Sequence, residues 1–461
     1  MKQTETIAAI ATALSDSGIG IIRISGPEAI EVGNRVYQSK NGCHNLKGYG
    51  SHTIHYGFIV DGDELLDEVM AVIMKAPNSY TKEDTVEINC HGGVLIMQKI
   101  LETVVKNGAR LAEPGEFTKR AFLNGRIDLA RAEAVMDMIH SRNEYALRSS
   151  ISQLKGSVSD CIKGMRREIL HEIAFIESAL DDPEHISTEG YSERLLPKVE
   201  ELTARCEKLI ASAANGRVLK EGINTVIVGK PNAGKSSLMN LLIGQEKAIV
   251  TEVAGTTRDV LEESIRLNGI SLNIIDTAGI RSTEDVVEKI GVERATRYAQ
   301  DADLLLYVVD SSVPMDESDR RIQELIRGRR CIAVLNKTDL EQVVTEEELK
   351  KTLPEGIPVI KTSTRENTGL DELERRVTEL FFAGELRFNE EVIITNLRHK
   401  EALEEARDSL AQVKGSLETG MPEDFYSIDL MSAYASLGRI IGEEVGDDLV
   451  NEIFSKFCMG K

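Results

Sequence analysis

The sequence predicts a multidomain protein in which an α/β domain interrupts a helical domain, after an N-terminal α+β domain. Residues 1–120 alternate short β-like runs with a helical run, and residues 222–382 hold apolar runs that each end in a polar loop. The stretches between and after them show helical spacing. The 461 residues suit about three domains. We place the boundaries at residues 1–120, 121–221, 222–382 and 383–461, with the second and fourth segments forming one interrupted helical domain.

The element signals differ between these segments. In the first, β-like runs are predicted at residues 19–24, 53–60, 68–74 and 85–89, and a helix at 94–107. The second segment is nearly free of Pro and repeats apolar residues at helical spacing, as at Leu154, Val158, Ile162 and Met165. The last segment does the same at Leu403, Ala406, Leu410 and Val413. We therefore expect α+β packing first and a helical bundle around the insertion.

Composition limits the classes of function. Hydrophobic residues make up 41% of the chain and aromatic residues 4%, without Trp, so aliphatic side chains must fill the cores. The 6 Cys lack the paired spacing of a zinc or redox site, which favours reduced thiols in a cytoplasm. No apolar run is long enough to span a membrane, and no signal-peptide pattern opens the chain. The net charge of −21 argues against broad affinity for nucleic acid.

Residues 229–236 read Gly-Lys-Pro-Asn-Ala-Gly-Lys-Ser and have the spacing of a phosphate-binding loop. A β-branched apolar run precedes them and a helix-compatible run follows, which we expect to end at Gly244. Glycines let backbone N–H groups turn inward, and the helix adds the positive end of its dipole. Lys235 brings a charge to the outer phosphates and Ser236 a hydroxyl to Mg²⁺. A plain Gly-rich turn is the alternative, and the strand–loop–helix context disfavours it.

Motifs at the ends of the later predicted strands indicate which nucleotide is bound. Asp276-Thr-Ala-Gly279 follows a second apolar run, and its Asp can hold Mg²⁺ through water. A third run covers residues 302–310, and a fourth ends in Asn336-Lys-Thr-Asp339. The Asp339 carboxylate can accept both N1–H and the exocyclic amine of guanine, a donor pair that adenine lacks. A fifth run, residues 357–364, supplies a loop over the base. These motifs in this order predict a Ras-like P-loop GTPase domain.

The sequence indicates less clearly which residue orients the attacking water. In the segment at residues 251–259, a Thr hydroxyl can bind Mg²⁺ only while the γ-phosphate is present. The segment can therefore act as an order–disorder switch. The water-orienting Gln of the Ras pattern is replaced by Ile280, so the motifs leave Glu284, Asp285 and Glu288 as candidates. Positive charge between the phosphates can come from an arginine finger or from a monovalent cation. Asn232 is a plausible oxygen ligand for such a cation, or it braces the turn.

The assembled motifs resemble those of the tRNA modification GTPase family, MnmE/TrmE. The matching GTPase motifs are Gly-Lys-Pro-Asn-Ala-Gly-Lys-Ser, Ala-Gly-Thr-Thr-Arg-Asp and Asp-Thr-Ala-Gly-Ile-Arg. More specific matches lie at residues 20–26, at Cys90-His-Gly-Gly93, at residues 114–125 and at the terminal Phe-Cys-Met-Gly-Lys461. The resemblance therefore covers the whole chain. Without it, Arg23 and Glu87 would be taken for ordinary strand residues.

The resemblance implies a potassium-stimulated GTPase that acts as a homodimer, and it assigns residues by position. Glu288 would orient the catalytic water. K⁺ would be held by Asn232, Thr251, Val253 and Thr256, and Mg²⁺ by Ser236 and Thr257. The GTP contacts would comprise Asn232, Ala233, Gly234, Lys235, Ser236, Ser237, Thr251, Glu252, Val253, Ala254, Gly255, Thr256, Thr257, Asp276, Thr277, Ala278, Gly279, Asn336, Lys337, Asp339, Ser363, Thr364 and Arg365.

The resemblance also implies that the N-terminal domain is folate-binding-like and holds a one-carbon tetrahydrofolate of the 5-formyl or methylene type. Arg23, Glu87, Arg126 and Lys461 would line that pocket, although the family often has Lys where this chain has Arg126. With a FAD-dependent partner in a heterotetramer, the enzyme would install a 5-carboxymethylaminomethyl-type group on the wobble uridine of tRNA. The alternative is a nonenzymatic GTPase switch, such as a ribosome-assembly factor, whose folate-like domain only docks.

Overall fold

The computed structural model describes residues 5–141, 143–245, 262–267, 270–275, 302–382, 392–457 and 460. The chain divides into two compact units. The first comprises Met1–Met136, Gln153–Glu189 and Ser416–Lys461, and the second Asp137–Ser152 and Gly190–Gly415. Within the described ranges, no helix combines the length and the apolar character needed to cross a membrane.

The regular elements are numbered along the whole chain. The strands are β1 (Ile7–Ile10), β2 (Ser17–Ser25), β3 (Tyr37–Ser39), β4 (Thr53–Asp61), β5 (Glu64–Met74), β6 (Thr85–Gly92), β7 (Arg110–Leu111), β8 (Ile223–Val228), β9 (Glu262–Leu267), β10 (Ile270–Ile275), β11 (Leu304–Asp310), β12 (Cys331–Asn336) and β13 (Val359–Lys361). The described helices are α1 (Ala29–Val36), α2 (Val94–Lys106), α3 (Glu116–Leu123), α4 (Leu129–His140), α5 (Glu144–Lys155), α6 (Ser157–Asp181), α7 (Tyr191–Glu221), α8 (Lys235–Gln245), α9 (Glu317–Leu325), α10 (Glu346–Thr352), α11 (Leu370–Phe382), α12 (Leu397–Glu418), α13 (Glu423–Ile441) and α14 (Asp447–Ser455).

The first unit is built on a seven-stranded sheet in the order β3-β4-β5-β6-β2-β1-β7. Neighbouring strands are antiparallel except β1 and β7, which run parallel. One face of the sheet packs into a core with α1 and α2, since alternate residues such as Ile22, Ala71 and Ile88 are fully buried there. The α+β prediction for the N-terminal domain is confirmed.

The opposite face of this sheet is only partly covered. Helix α3 places Phe117 against Ile7 and Ala9, which buries the end of the face at β1. Toward β4 and β5 the same face leaves Ile54 63%, Tyr56 48% and Met70 45% exposed. The two strands pair so that Tyr56 lies directly opposite Met70. An apolar stretch of sheet therefore remains open beside the covered end.

Helices complete the first unit. Helix α6 packs along α13, where Arg166, 4% exposed, pairs with Glu443 at 2.5 Å. The Arg166 guanidinium also lies 3.9 Å from the centre of the Tyr434 ring. Helix α14 brings Phe454 onto the buried face of α3 and α4. These contacts confirm a helical domain beyond the N-terminal sheet.

The second unit contains a six-stranded sheet in the order β13-β12-β11-β8-β10-β9. All neighbours are parallel except β9, which is antiparallel to β10. Strand β8 pairs with β10 on one side and with β11 on the other. The later strands of the domain are therefore added on both sides of β8, which makes its carboxyl end a topological switch point. A crevice for ligands forms at the carboxyl ends of strands at such a switch point. The predicted parallel α/β domain is confirmed.

The predicted helices and strands were less accurate than the predicted fold class. The helix after the phosphate loop does not end at Gly244, because α8 continues to Gln245 with Gly244 inside it. An added Cβ at Gly244 would meet no atom within 4 Å, and its φ is not positive, so nothing in the packing forces a stop there. The elements not predicted from the sequence include β1, β3, β7, β9 and α1. Strand β1 is short, with only Ile7–Ile10, and its place is set by distant partners rather than by its own pattern.

Candidate functional site

The phosphate loop lies at the carboxyl end of β8, between that strand and α8. Its backbone enters the left-handed region at Gly229 (φ 157°), Asn232 (φ 62°) and Gly234 (φ 99°). Positive φ at these positions turns successive backbone N–H groups toward one side, which forms an anion-binding concavity. Asn tolerates this conformation better than most residues with a Cβ. The loop geometry therefore suits a phosphate group.

Lys235 begins α8 and directs its ammonium group back across the loop. Its Nζ donates to the carbonyl oxygens of Gly229, at 2.9 Å, and Lys230, at 2.7 Å. Ser236 and Ser237 are exposed in the first turn of the same helix. A full positive charge and a hydroxyl thus lie beside the helix N-terminus, which itself favours a bound anion such as phosphate.

Lys230 ties the start of the loop to helix α9, a link that the sequence argument missed. Its Nζ lies 2.7 Å from Oδ2 of Asp319 and 3.1 Å from Oδ2 of Asp316. These two aspartates form the capping box of α9, and Asp319 also accepts from the Tyr307 hydroxyl at 3.0 Å. Burial by itself lowers the pKa of Lys230, but the two carboxylates outweigh it and raise that pKa. In the sequence, only the Asp-x-x-Asp capping box could have indicated the start of α9, and it does not indicate the contact with Lys230.

Asn336, at the end of β12, holds the loop from the other side. It is fully buried, and its Nδ2 donates to the Ala233 carbonyl at 3.1 Å. Thr362 donates to its Oδ1 at 3.3 Å. A Cβ added to Gly234 would lie 2.1 Å from Asn336 Nδ2, so the two sites are packed directly together. The structure places this side chain as a brace between the phosphate loop and the end of β13, where the loop predicted to cover the base begins.

Asp339 and Ser363 meet across the two loops predicted to enclose the base. Ser363 Oγ donates to Asp339 Oδ1 at 2.7 Å and accepts from the Glu366 backbone N–H at 3.1 Å. Ser363 is fully buried and Asp339 half-buried, while Arg365 is exposed. One carboxylate oxygen is thereby fixed, which orients the other.

Lys337 supports the same loop from the side. Its Nζ lies 2.5 Å from Oδ2 of Asp310, at the end of β11, and its φ is 62°. Burial by itself raises the pKa of Asp310, but bonds from Lys337 and Ser312 prevail and lower it. The Asp310 carboxylate therefore favours its charged form and holds Lys337 within the loop that is predicted to read the base.

Several predicted site residues lie outside the described residues, and their placement stays a prediction. They comprise Thr251, Glu252, Val253, Ala254, Gly255, Thr256, Thr257, Asp276, Thr277, Ala278, Gly279, Glu288 and Lys461.

A second candidate site lies on the partly covered sheet face of the first unit. Arg23 on β2 and Glu87 on β6 are directly opposite each other, with Nε and Oε1 2.7 Å apart. Arg23 also donates to the Gly460 carbonyl at 3.0 Å and lies 5.8 Å from the Tyr80 ring and 5.6 Å from the Phe117 ring. A charged pair against two aromatic rings can bind a flat, polar heterocycle.

Arg126, Tyr80 and Asn89 extend this site. The Arg126 guanidinium lies 4.7 Å from the Tyr80 ring, so Arg126 and Arg23 share one aromatic residue. Asn89 lies two residues beyond Glu87 on the same face of β6, and its buried Oδ1 has no hydrogen-bond partner in the structure. Such an orphaned acceptor calls for a donor. These residues fit a reduced folate, whose pterin offers N–H donors and whose tail carries carboxylates. Sequence reasoning missed Tyr80 and Asn89, which carry no motif.

Comparison with known proteins covers both units. A family model described as the MnmE helical domain matches residues 129–458, and one described as the GTP-binding protein TrmE N-terminus matches residues 6–126. The chain is 56% identical over 459 residues to the tRNA modification GTPase MnmE of Lachnoclostridium phytofermentans, covering 100% of both chains. It is 46% identical over 464 residues to that of Geobacillus kaustophilus, again covering 100% of both. Among solved structures, the G domain of the T. maritima FeoB iron transporter is 30% identical, covering 34% of this chain and 98% of that one, with a TM-score of 0.27.

Proposed function

The chain belongs to the MnmE family of tRNA modification GTPases, and we propose from this membership that it couples potassium-stimulated GTP hydrolysis to modification of the wobble uridine in tRNA. The product would be of the 5-carboxymethylaminomethyl type. A FAD-dependent partner protein would share the reaction in a heterotetramer. A one-carbon tetrahydrofolate in the first unit would supply the carbon attached to C5 of uracil.

The observation that best supports this proposal is the convergence of three loops at one end of the second sheet. The phosphate loop follows β8, and Asn336 braces it from the end of β12. Asp339 is held by Ser363 of the loop that follows β13. A phosphate cradle and a fixed carboxylate are thus joined through one buried amide, as a guanine nucleotide requires.

The residues would divide the work as follows. Lys235 would neutralise the outer phosphates, with Ser236 and Thr257 holding Mg²⁺ and Asn232 holding K⁺ beside Thr251, Val253 and Thr256. When bound, the two cations supply positive charge where negative charge develops in phosphoryl transfer. Asp339 would accept from guanine N1–H and the exocyclic amine. Glu288 would accept a hydrogen bond from the attacking water and orient it.

The proposed potassium site gives a specific prediction. We expect GTP turnover to be at least about tenfold faster in K⁺ than in Na⁺ at equal ionic strength. Asn232→Gly should bring the two rates together, because Gly accepts the positive φ of 62° but supplies no amide oxygen. Steady-state phosphate release in the two salts measures this. Equal rates for the unsubstituted protein would contradict the cation site.

A second prediction separates the three acidic residues that follow Ile280. Glu288→Ala is expected to slow single-turnover hydrolysis by roughly 10²–10⁴-fold, because the attacking water loses its acceptor. The GTP dissociation constant should change little. Glu284→Ala and Asp285→Ala are matched controls in the same segment and should keep most of the rate. A collapse of GTP affinity in Glu288→Ala would instead indicate a structural role.

We also propose a homodimer joined through the first unit. Its support is the open part of the sheet face, where Ile54, Tyr56 and Met70 are exposed beside the Arg23–Glu87 pair. Exposed apolar surface of this kind, next to a polar site, is typical of an interface. A second copy would cover it and help enclose the folate.

The whole proposal is tested by nucleoside mass spectrometry of tRNA from cells with and without the gene. Loss of the 5-carboxymethylaminomethyl-type group from wobble uridine in the deletion strain is the expected result. Unchanged wobble uridines, together with a defect in ribosomal subunits, would favour a ribosome-assembly GTPase instead.

A further inference from the structure

A shallow cavity of about 490 Å³, largely open to solvent, lies beside Tyr80 in the first unit. Tyr80 is the residue that the Arg23 and Arg126 guanidiniums both face, and its hydroxyl is within 2.9 Å of Thr118 Oγ1. Arg126 also lines the cavity. The cavity therefore begins at the proposed folate site, on the side of Tyr80 where Arg126 lies.

Its lining combines apolar residues, among them Met74 and Pro77, with polar and basic ones. Lys82, Arg126 and His52 contribute nitrogen groups, and Asn78 and Ser79 add neutral hydrogen-bonding side chains. All the residues that line it are described, and none is Asp or Glu, although the chain carries a net charge of −21. Two cationic side chains, Lys82 and Arg126, without a carboxylate among the lining residues favour an anion over a cation.

The cavity wall is held in unusual backbone conformations. His52 has φ 61° and Lys82 has φ 60°, which is uncommon for residues with a side chain. The surrounding contacts fix both positions. The His52 N–H donates to Ile73 O at 2.6 Å, and the Lys82 backbone N–H donates to Ser79 O at 3.5 Å. Strain of this kind persists where the neighbouring structure imposes it, and it concentrates at binding sites.

We propose that this cavity binds the γ-linked oligoglutamate tail of a reduced folate. The inference rests on the proposed folate site and names the form of folate that it takes. Arg126 would meet the first carboxylates of the tail, and Lys82 and His52 the later ones. Asn78 would match the amide groups between glutamates, and Ser79 Oγ, which already donates to Glu83 O at 2.6 Å, could accept from one of their N–H groups. A chain of phosphates offers no such amide groups.

The test compares the dissociation constants of 5-formyltetrahydrofolate with one and with three glutamates, by calorimetry on the full-length protein. We expect the triglutamate to bind roughly tenfold more tightly, from the added charge-assisted contacts. Lys82→Ala should reduce this ratio to about two or less, and Lys82→Arg should retain most of it. Lys99→Ala removes one positive charge from α2, on the opposite side of the sheet, and should keep the full ratio.

The outcomes distinguish a failure of the proposed folate site from a failure of the oligoglutamate proposal alone. If neither folate binds, the proposed folate site is wrong and the inference falls with it. If both bind with equal affinity, the folate site stands and the oligoglutamate cavity is overturned. If Lys82→Ala keeps the triglutamate preference but loses tRNA affinity, the cavity serves RNA phosphate and the inference is again overturned.

Discussion

Asp339→Asn is expected to move the base preference of the protein from guanine to xanthine. In the proposed site the carboxylate would accept two N–H groups from guanine, whereas the Asn amide presents one acceptor and one donor. Xanthine has a carbonyl in place of the exocyclic amine and so matches that pair. Since Ser363 donates to Asp339 Oδ1, the amide oxygen can occupy the same place and leave the loop intact.

The expected effect is large because the interaction is charged and partly buried. Losing charge-assisted hydrogen bonds and pairing an N–H donor with a second donor should weaken GTP binding by about 10³-fold or more. Affinity for xanthosine triphosphate should rise by a similar order. Fluorescence titration with GTP, XTP and ATP measures all three. Asp371→Asn, an exposed aspartate in the first turn of α11, is the matched control and should leave the preference with guanine. Retention of GTP affinity by Asp339→Asn would show that another group reads the base.

Gly234→Ala is expected to weaken nucleotide binding strongly with little loss of overall fold. The residue has φ 99°, which disfavours a Cβ, and the added atom would lie 2.1 Å from Asn336 Nδ2. Asn336 is fully buried and bonded to Ala233 and Thr362, so it cannot move away without breaking those bonds. We expect the loop to shift and GTP affinity to fall by about 10²-fold or more.

Gly244→Ala supplies the control for this substitution. Gly244 lies inside α8, and a Cβ there would meet no atom within 4 Å. The change should raise helix stability by up to about 1 kcal/mol and keep GTP binding. Equilibrium titration and thermal unfolding of both variants measure the contrast. Equal GTP affinities for the two variants would mean that the loop does not hold the nucleotide as described.

The sequence predicted the second unit well because its signals are local. Each parallel strand is an apolar run, and the residue types at its carboxyl end are those that a nucleotide demands. The contacts that fix the site were not local, however. Lys230 reaches Asp316 and Asp319 far along the chain, and Asn336 reaches Ala233. No spacing rule indicates that the Asn of Asn-Lys-x-Asp braces the phosphate loop.

The first unit depended much more on the family resemblance. Arg23 and Glu87 become partners only through the register of β2 and β6, and strand register is set by the whole sheet. Asn89 gains its place from the same register, whereas Tyr80 lies in the loop between β5 and β6 and contacts Thr118 of helix α3. Periodicity located most of the strands of this sheet, but it could not show which polar residues share its open face.

The proposed function requires the guanine nucleotide pocket of the second unit to drive modification of tRNA. The most direct measurement is wobble-uridine mass spectrometry in a deletion strain that carries Gly234→Ala or Gly244→Ala at equal protein levels. The account predicts unmodified wobble uridine with Gly234→Ala and full modification with Gly244→Ala. Full modification with Gly234→Ala, after its loss of GTP binding has been verified, would contradict it.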